Sequence, residues 1–154
     1  MLRLLQRSFE VPVSAADAWR VLARVSDWPR WAKHIRRIDV TPAGELGPES
    51  SGCIHLSNGI RSTFRMSEFH SDRNWKWVGP FLWLTVHYDH RFDELTPSRT
   101  RLTWTVDAEG AGVSVFGRLF AAVYARNLDK AIPAFVASIG ELASADAATR
   151  AVTS

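Results

Sequence analysis

The histidines are the side chains best suited to acid–base or metal chemistry, and two of them, His87 and His90, stand three positions apart. On a helix this spacing can bring two imidazoles to one face, but on a strand it sends them to opposite faces of the sheet. Residues 82–95 are rich in β-branched and aromatic residues and are predicted to form a strand. Because His55 and His70 also lack cysteine or acidic partners at ligand spacing, we predict no metal site.

Motifs for nucleophilic or nucleotide chemistry are missing or incomplete. The sequence contains no Gly-x-Ser-x-Gly motif and no phosphate-binding loop. Gly110, Gly112 and Gly117 superficially suggest a dinucleotide-binding loop, but the third glycine is two positions late and no parallel βαβ unit surrounds it. We interpret these glycines as a bend followed by a helix-packing glycine, and we expect no cofactor. The single cysteine, Cys53, is expected to be a buried structural residue.

The charge of the chain is mildly basic. A net charge of +3 and a pI of about 9.5 lie below the values typical of dedicated nucleic-acid-binding proteins, so we expect no DNA binding. The densest basic cluster consists of Arg30, Lys33, His34, Arg36 and Arg37. We interpret it as a solvated surface, and the alternative is a patch that contacts a membrane surface or RNA.

The length of 154 residues, with no repeat and no linker, predicts one domain over residues 1–143. Residues 144–154 are small and polar and are expected to fray. The apolar stretch at the N-terminus is too short and too interrupted by polar residues to be a signal peptide. No apolar run approaches the length of a membrane-spanning helix, about 18 residues. We therefore expect a soluble cytoplasmic protein, either a monomer or a homodimer.

Two short helices are predicted to follow a first strand. Alternation predicts a strand over residues 2–13, and Ser14 with Asp17 three positions later is typical of a helix N-terminus. Asp27 can cap a second short helix that ends at Trp31.

Residues 35–109 have a different sequence pattern, in which short runs of strand-forming residues alternate with turn residues. Asn58-Gly59 between two such runs is a strong hairpin signal. Consecutive short strands with tight turns predict an antiparallel meander. The predicted strands are residues 35–41, 52–57, 60–70, 75–79, 82–95 and 101–109.

A long helix is predicted over residues 113–142, with a broad apolar stripe that includes Phe120 and Val123. Pro133 lies inside it and is expected to kink or break it. A helix of this kind needs a large apolar surface to lie on, and the sheet is the only candidate.

The segment from Val11 to Trp19 and the turn from Ser26 to Trp31 resemble the START-like superfamily of helix-grip proteins. That superfamily includes polyketide cyclases and dehydrases, coenzyme-Q-binding proteins and pollen-allergen-like carriers. Its members often combine a strand, a helix that begins with small residues, a tryptophan and an Asp-x-x-x-Trp turn, as Asp27 to Trp31 does here. The resemblance implies an α+β fold: a curved antiparallel sheet of about seven strands, two short helices after strand 1, and one long C-terminal helix packed on the sheet.

Alternation along the strands predicts which side chains face the long helix and line a cleft. Tyr88 and His90 share one face of their strand, and Glu68 has the inward parity on another. A bulge would reverse any such assignment. The predicted ligand-binding residues are Phe64, Met66, Trp75, Trp77, Val86, Tyr88, His90, Trp104, Phe120 and Val123.

Aromatic walls with a few polar groups are typical of a small-molecule site. The leading hypothesis is the binding of a small apolar ligand, such as a lipid, a quinone or a polyketide-like molecule. The first alternative, a polyketide cyclase or dehydratase, is implied by the resemblance, with Tyr88, His90 and Glu68 as candidate catalytic residues. The second is an interaction module that uses the basic cluster. A solid core in which His90 is simply hydrogen-bonded also remains open.

Overall fold

The computed structural model describes residues 1–153, in which seven strands and a long helix follow the predicted order. The strands are β1 (Leu2–Val11), β2 (Ile35–Thr41), β3 (Ser51–Leu56), β4 (Arg61–His70), β5 (Asn74–Phe81), β6 (Leu84–Thr96) and β7 (Arg99–Glu109). The helices are α1 (Ala15–Ala23), a 3-10 helix (Val25–Arg30) and α2 (Val113–Thr153).

The strands form one antiparallel sheet in the order β1-β7-β6-β5-β4-β3-β2. Strands β2 to β7 are neighbours in sequence order, as short turns dictate, and β1 pairs with β7. Since β1 and β2 lie at opposite edges, the chain between them must cross the sheet, and this crossing carries α1 and the 3-10 helix. The predicted α+β helix-grip architecture is confirmed.

The start of α1 follows directly from its sequence. The Ser14 hydroxyl accepts a hydrogen bond from the Asp17 N–H at 3.1 Å, so the predicted cap is present. The helix buries Trp19 against the rings of Phe69, Trp75 and Phe92. These contacts fix the crossing segment on the inward face of the sheet.

Helix α2 lies on β1 and α1 and is longer than predicted. A Cβ atom at Gly117 would lie 2.8 Å from the Leu4 side chain, which confirms the interpretation of Gly117 as a helix-packing glycine. The helix runs through Pro133 without a break, held beyond it by the fully buried Phe135 and Ile139.

The prediction of a frayed segment over residues 144–154 is wrong for the described part, because α2 continues to Thr153. The reason is Asp146, which is buried and pairs with Arg20 of α1, with Arg24 directly after α1, and with Arg150 one turn later. A carboxylate shared by three guanidinium groups fastens this end of α2 to α1. The small and polar residues of this segment predict fraying, and its composition alone does not indicate the contact with distant arginines.

Candidate functional site

The inward face of the sheet is an aromatic cleft floor. Trp75 of β5 lies directly opposite His90 of β6, and His90 lies opposite Trp104 of β7. In the next pair toward the β5–β6 turn, Trp77 lies opposite Tyr88. All five side chains are buried, as are Phe64, Met66 and Val86, so the predicted inward parity is correct for these positions.

His90 is enclosed by tryptophan rings. Its imidazole stacks on Trp75 at a centroid distance of 4.9 Å, and the rings of Trp77, Trp28 and Trp104 lie 5.0, 6.1 and 6.1 Å away. Burial lowers the pKa of His90 to about 3, and a hydrogen bond with the Trp75 backbone acts in the opposite direction. The imidazole is therefore neutral at physiological pH.

Three nitrogen atoms in this row have no hydrogen-bond partner within the protein: Trp75 Nε1, His90 Nδ1 and Trp104 Nε1. Within residues 1–153, just one other buried side-chain polar atom, Arg20 Nε, is in the same condition. The contrast with Trp28 is direct, because its Nε1 donates to the Leu22 carbonyl at 2.8 Å. A buried polar group without a partner costs about 1–3 kcal/mol, so three in neighbouring positions need an explanation.

The neutral imidazole of His90 carries one N–H group and one lone pair. The tautomer decides whether Nδ1 is the donor or the acceptor. The row presents two indole N–H donors and one imidazole nitrogen.

The deep end of the cleft is filled by side chains. Trp31 packs on Phe135 of α2 at 4.7 Å and lies 6.1 Å from Trp104. Trp28 covers Trp77 and His90 from the 3-10 helix. The predicted lining set did not include these two tryptophans. Trp28 lies in a six-residue helix and Trp31 directly follows it. Two tryptophans three positions apart are unusual on a solvated segment, and this signal could have placed them in the cleft.

The shallow end of the cleft is covered more lightly. Tyr88 lies 5.7 Å from Tyr124 and 6.5 Å from Phe120, and these two rings stack on one another. The face of α2 that meets the sheet runs through Gly117, Phe120 and Tyr124, and Gly117 is the single buried residue within 113–127. Burial raises the pKa of Tyr88, so its hydroxyl stays protonated.

Comparison with known proteins identifies the family. Residues 4–140 match the family described as polyketide cyclase / dehydrase and lipid transport. The chain belongs to this family. The match spans the sheet except for the first two residues of β1, includes the part of α2 that covers the cleft, and ends before Asp146. None of the curated proteins is similar to the chain in sequence.

Solved structures of the START superfamily share the fold. A START superfamily protein from Mycobacterium smegmatis has a TM-score of 0.64 at 11% identity, covering 88% of this chain and 97% of its own. Norcoclaurine synthase from Thalictrum flavum has a TM-score of 0.66 at 12% identity, with coverages of 89% and 93%. The di-domain ARO/CYC protein BexL has a TM-score of 0.64 at 15% identity and covers 90% of this chain and 45% of its own.

Two predicted site residues of this polyketide cyclase family member lie outside the cleft. The pairing of β4 with β5 shifts between Met66 and Glu68, which places one extra residue on β4 and reverses the parity beyond it. The Glu68 side chain is 41% exposed and pairs with Lys76 at 3.5 Å. Its pKa is lowered, first by a hydrogen bond from Asn74. The predicted inward position of Glu68 is therefore wrong.

The predicted inward position of Val123 is also wrong, because its side chain is exposed. The apolar stripe of α2 is wider than the face that meets the sheet, and one edge of it extends into solvent. The basic cluster is partly neutralised: Arg30 pairs with Asp27 at 3.6 Å and Arg37 with Asp39 at 3.5 Å. In residues 1–153 no group of histidine, cysteine and acidic side chains could hold a metal ion.

Proposed function

We propose that the protein binds a small, neutral, mostly apolar molecule, lipid-, quinone- or polyketide-like, in the cleft between the sheet and α2. The observation that carries the proposal is the row of three buried, unpartnered nitrogens on Trp75, His90 and Trp104 in an otherwise apolar floor. Sites for small molecules combine apolar walls with a few polar groups that fix orientation. Membership of a family described by polyketide cyclisation and lipid transport supports the same assignment.

The chemistry of the row favours a ligand that carries a hydroxyl group. A hydroxyl has one donor and two acceptor sites, so it can accept from the two indole N–H groups and donate to His90 Nδ1 in the tautomer that carries the lone pair there. The rings around His90 are uncharged, and a charged ligand buried there would lose its hydration without an opposite charge to replace it. We therefore propose an alcohol or phenol in preference to a carboxylate or phosphate.

The ionisation of the polar groups favours binding over acid–base catalysis. A general acid or base works best with a pKa near the operating pH. Burial moves the pKa of His90 down to about 3 and that of Tyr88 upward, so both move away from neutrality. A cyclase or dehydratase is the second candidate, supported by the family description, and it predicts a bell-shaped pH–rate profile for a polyketide-like substrate.

Entry of a ligand requires a movement, because aromatic side chains occupy the cleft. We propose that the first half of α2 moves away from the sheet, since it buries so little of itself. The bend before this helix contains Gly110 and Gly112, both with positive φ, a conformation that glycine adopts without steric cost. The second half of α2 is held by Phe135 and Ile139 and stays in place.

The test uses 2-naphthol and naphthalene as a matched pair of probes that differ by one hydroxyl group. In Trp104→Phe, which removes an N–H but keeps an aromatic ring, the affinity for 2-naphthol should fall about three- to tenfold, the value of one hydrogen bond. The affinity for naphthalene should stay the same. Trp83→Phe is the control, because its Nε1 already donates to the Ala111 carbonyl. Equal losses for both probes, or none for either, would overturn the assignment of the row.

A further inference from the structure

A second surface of the molecule is apolar, exposed and outside the cleft. It combines the tip of the β5–β6 turn with the outward face of the first half of α2, and we call it the apolar rim. Five of its side chains are between 56% and 67% exposed. The rim consists of Leu82, Trp83, Val115, Leu119 and Val123, together with the less exposed Phe116.

The two parts of the rim form one continuous surface. The Trp83 and Phe116 rings meet edge to face at 4.8 Å, and the Trp83 indole is fixed by its bond to the Ala111 carbonyl. Leu82 has a φ of 56°, in the left-handed region that a bulky side chain adopts only at an energetic cost. Glycine or asparagine would suit this turn position better, so a leucine there presents an apolar side chain at the expense of local stability.

The charged side chains on the helical part of the rim are positive. Residues 113–128 contain Arg118 and Arg126 and no acidic residue, and Lys130 follows. Arg126 and Lys130 continue the helix face of Leu119 and Val123, at spacings of three and four. In residues 1–153 none of the three cations forms an ion pair, and Asp129 pairs with Arg7. The N-terminus of α2 adds the positive end of its helix dipole.

We propose that the apolar rim docks the protein on the surface of an anionic phospholipid bilayer. Apolar side chains beside unpaired cations fit acyl chains below a layer of anionic head groups. A second copy of the chain fits the apolar rim less well, because in a symmetric dimer the cations of the two copies would face and repel one another. By length and composition α2 could cross a membrane, but its second half is packed in the core, so it lies on the bilayer. The proposal does not depend on the ligand in the cleft.

The experiment is sedimentation with phosphatidylcholine vesicles, with and without phosphatidylglycerol. The wild-type protein should bind the anionic vesicles, and binding should weaken at high salt. Leu119→Ser should weaken binding about tenfold or more, the value of one buried apolar side chain. Arg126→Gln should weaken it about fivefold, the value of one cation near the surface. Leu82→Gly should weaken binding and leave the melting temperature equal or higher.

Two control variants keep the result specific. Leu95→Ser changes an exposed leucine at the opposite end of β6, and Arg36→Gln changes the predicted basic cluster. Both should bind vesicles like the wild type. The proposal is overturned if the wild type does not bind anionic vesicles, or if either control loses as much affinity as the rim variants. It is also overturned if analytical ultracentrifugation shows a dimer that Leu119→Ser dissociates while vesicle binding is absent.

Discussion

Replacement of His90 by phenylalanine tests whether this side chain is a buried neutral base. At about pH 7.5 the imidazole is uncharged in both the folded and the unfolded chain. As the pH falls, the unfolded chain binds a proton at the ordinary pKa of 6.5, whereas the folded protein does not until about pH 3. The free energy of unfolding therefore decreases as the pH is lowered, by about 1.4 kcal/mol for each pH unit below pH 6.5. His90→Phe removes this contribution.

The expected size of the effect is the difference between the two proteins. Between about pH 7.5 and about pH 5, the free energy of unfolding of the wild type should drop about 2 kcal/mol more than that of His90→Phe. At pH 7.5 the variant should be as stable as the wild type or more stable, because one unpartnered nitrogen (about 1–3 kcal/mol) outweighs one lost hydrogen bond (about 0.5–1.5 kcal/mol).

The assay is urea unfolding followed by far-ultraviolet circular dichroism at each pH. Comparison of two proteins cancels the groups that titrate in both, including the half-buried His34, whose pKa is also lowered. Tyr88→Phe is the control, because a tyrosine with a raised pKa is neutral throughout this range. A difference between wild type and His90→Phe that stays constant with pH would refute the reasoning, since His90 would then bind its proton equally well in both states.

Three further predictions concern the scaffold. Trp104→Ala should lower the free energy of unfolding by about 3–5 kcal/mol in urea denaturation, and a loss below about 1 kcal/mol would contradict its place in the core. Asp146→Asn should cost about 1–3 kcal/mol in the same measurement, because three arginines lose their shared carboxylate, whereas the exposed Glu141→Gln should be neutral. Gly52→Ala should cost about 1–3 kcal/mol or prevent folding, because its Cβ would lie 2.1 Å from a backbone oxygen of β2, while Gly47→Ala, with open space around it, should melt near the wild-type temperature.

Local patterns were sufficient to predict the elements and most of the cleft floor. Alternation placed Trp75, His90 and Trp104 on one face because side chains in a strand alternate strictly, and hydrophobic burial favours one register. The helix cap at Ser14 was equally predictable, since it depends on residues three positions apart. These features need no knowledge of distant parts of the chain.

The errors arose where distant parts of the chain meet. The bulge beside Glu68 depends on how β4 and β5 pair, which alternation along one strand cannot show. The outward position of Val123 depends on where α2 touches the sheet. The helical structure after residue 143 depends on the pairing of Asp146 with Arg20 of α1 and with Arg24 directly after it. The unpartnered nitrogens could not be predicted from the sequence for the same reason. Whether a buried nitrogen has a hydrogen-bond partner depends on residues that are distant in the chain and adjacent in the fold.

The most direct test of the central claim is an NMR spectrum of the indole N–H groups. The seven tryptophans provide seven signals, which single Trp→Phe variants can assign. On saturation with 2-naphthol, the Trp75 and Trp104 signals should move, because their Nε1 atoms gain an acceptor. The Trp28 and Trp83 signals should change little, since these groups already donate to backbone carbonyls. Binding of 2-naphthol that leaves the Trp75 and Trp104 signals unmoved would contradict the account.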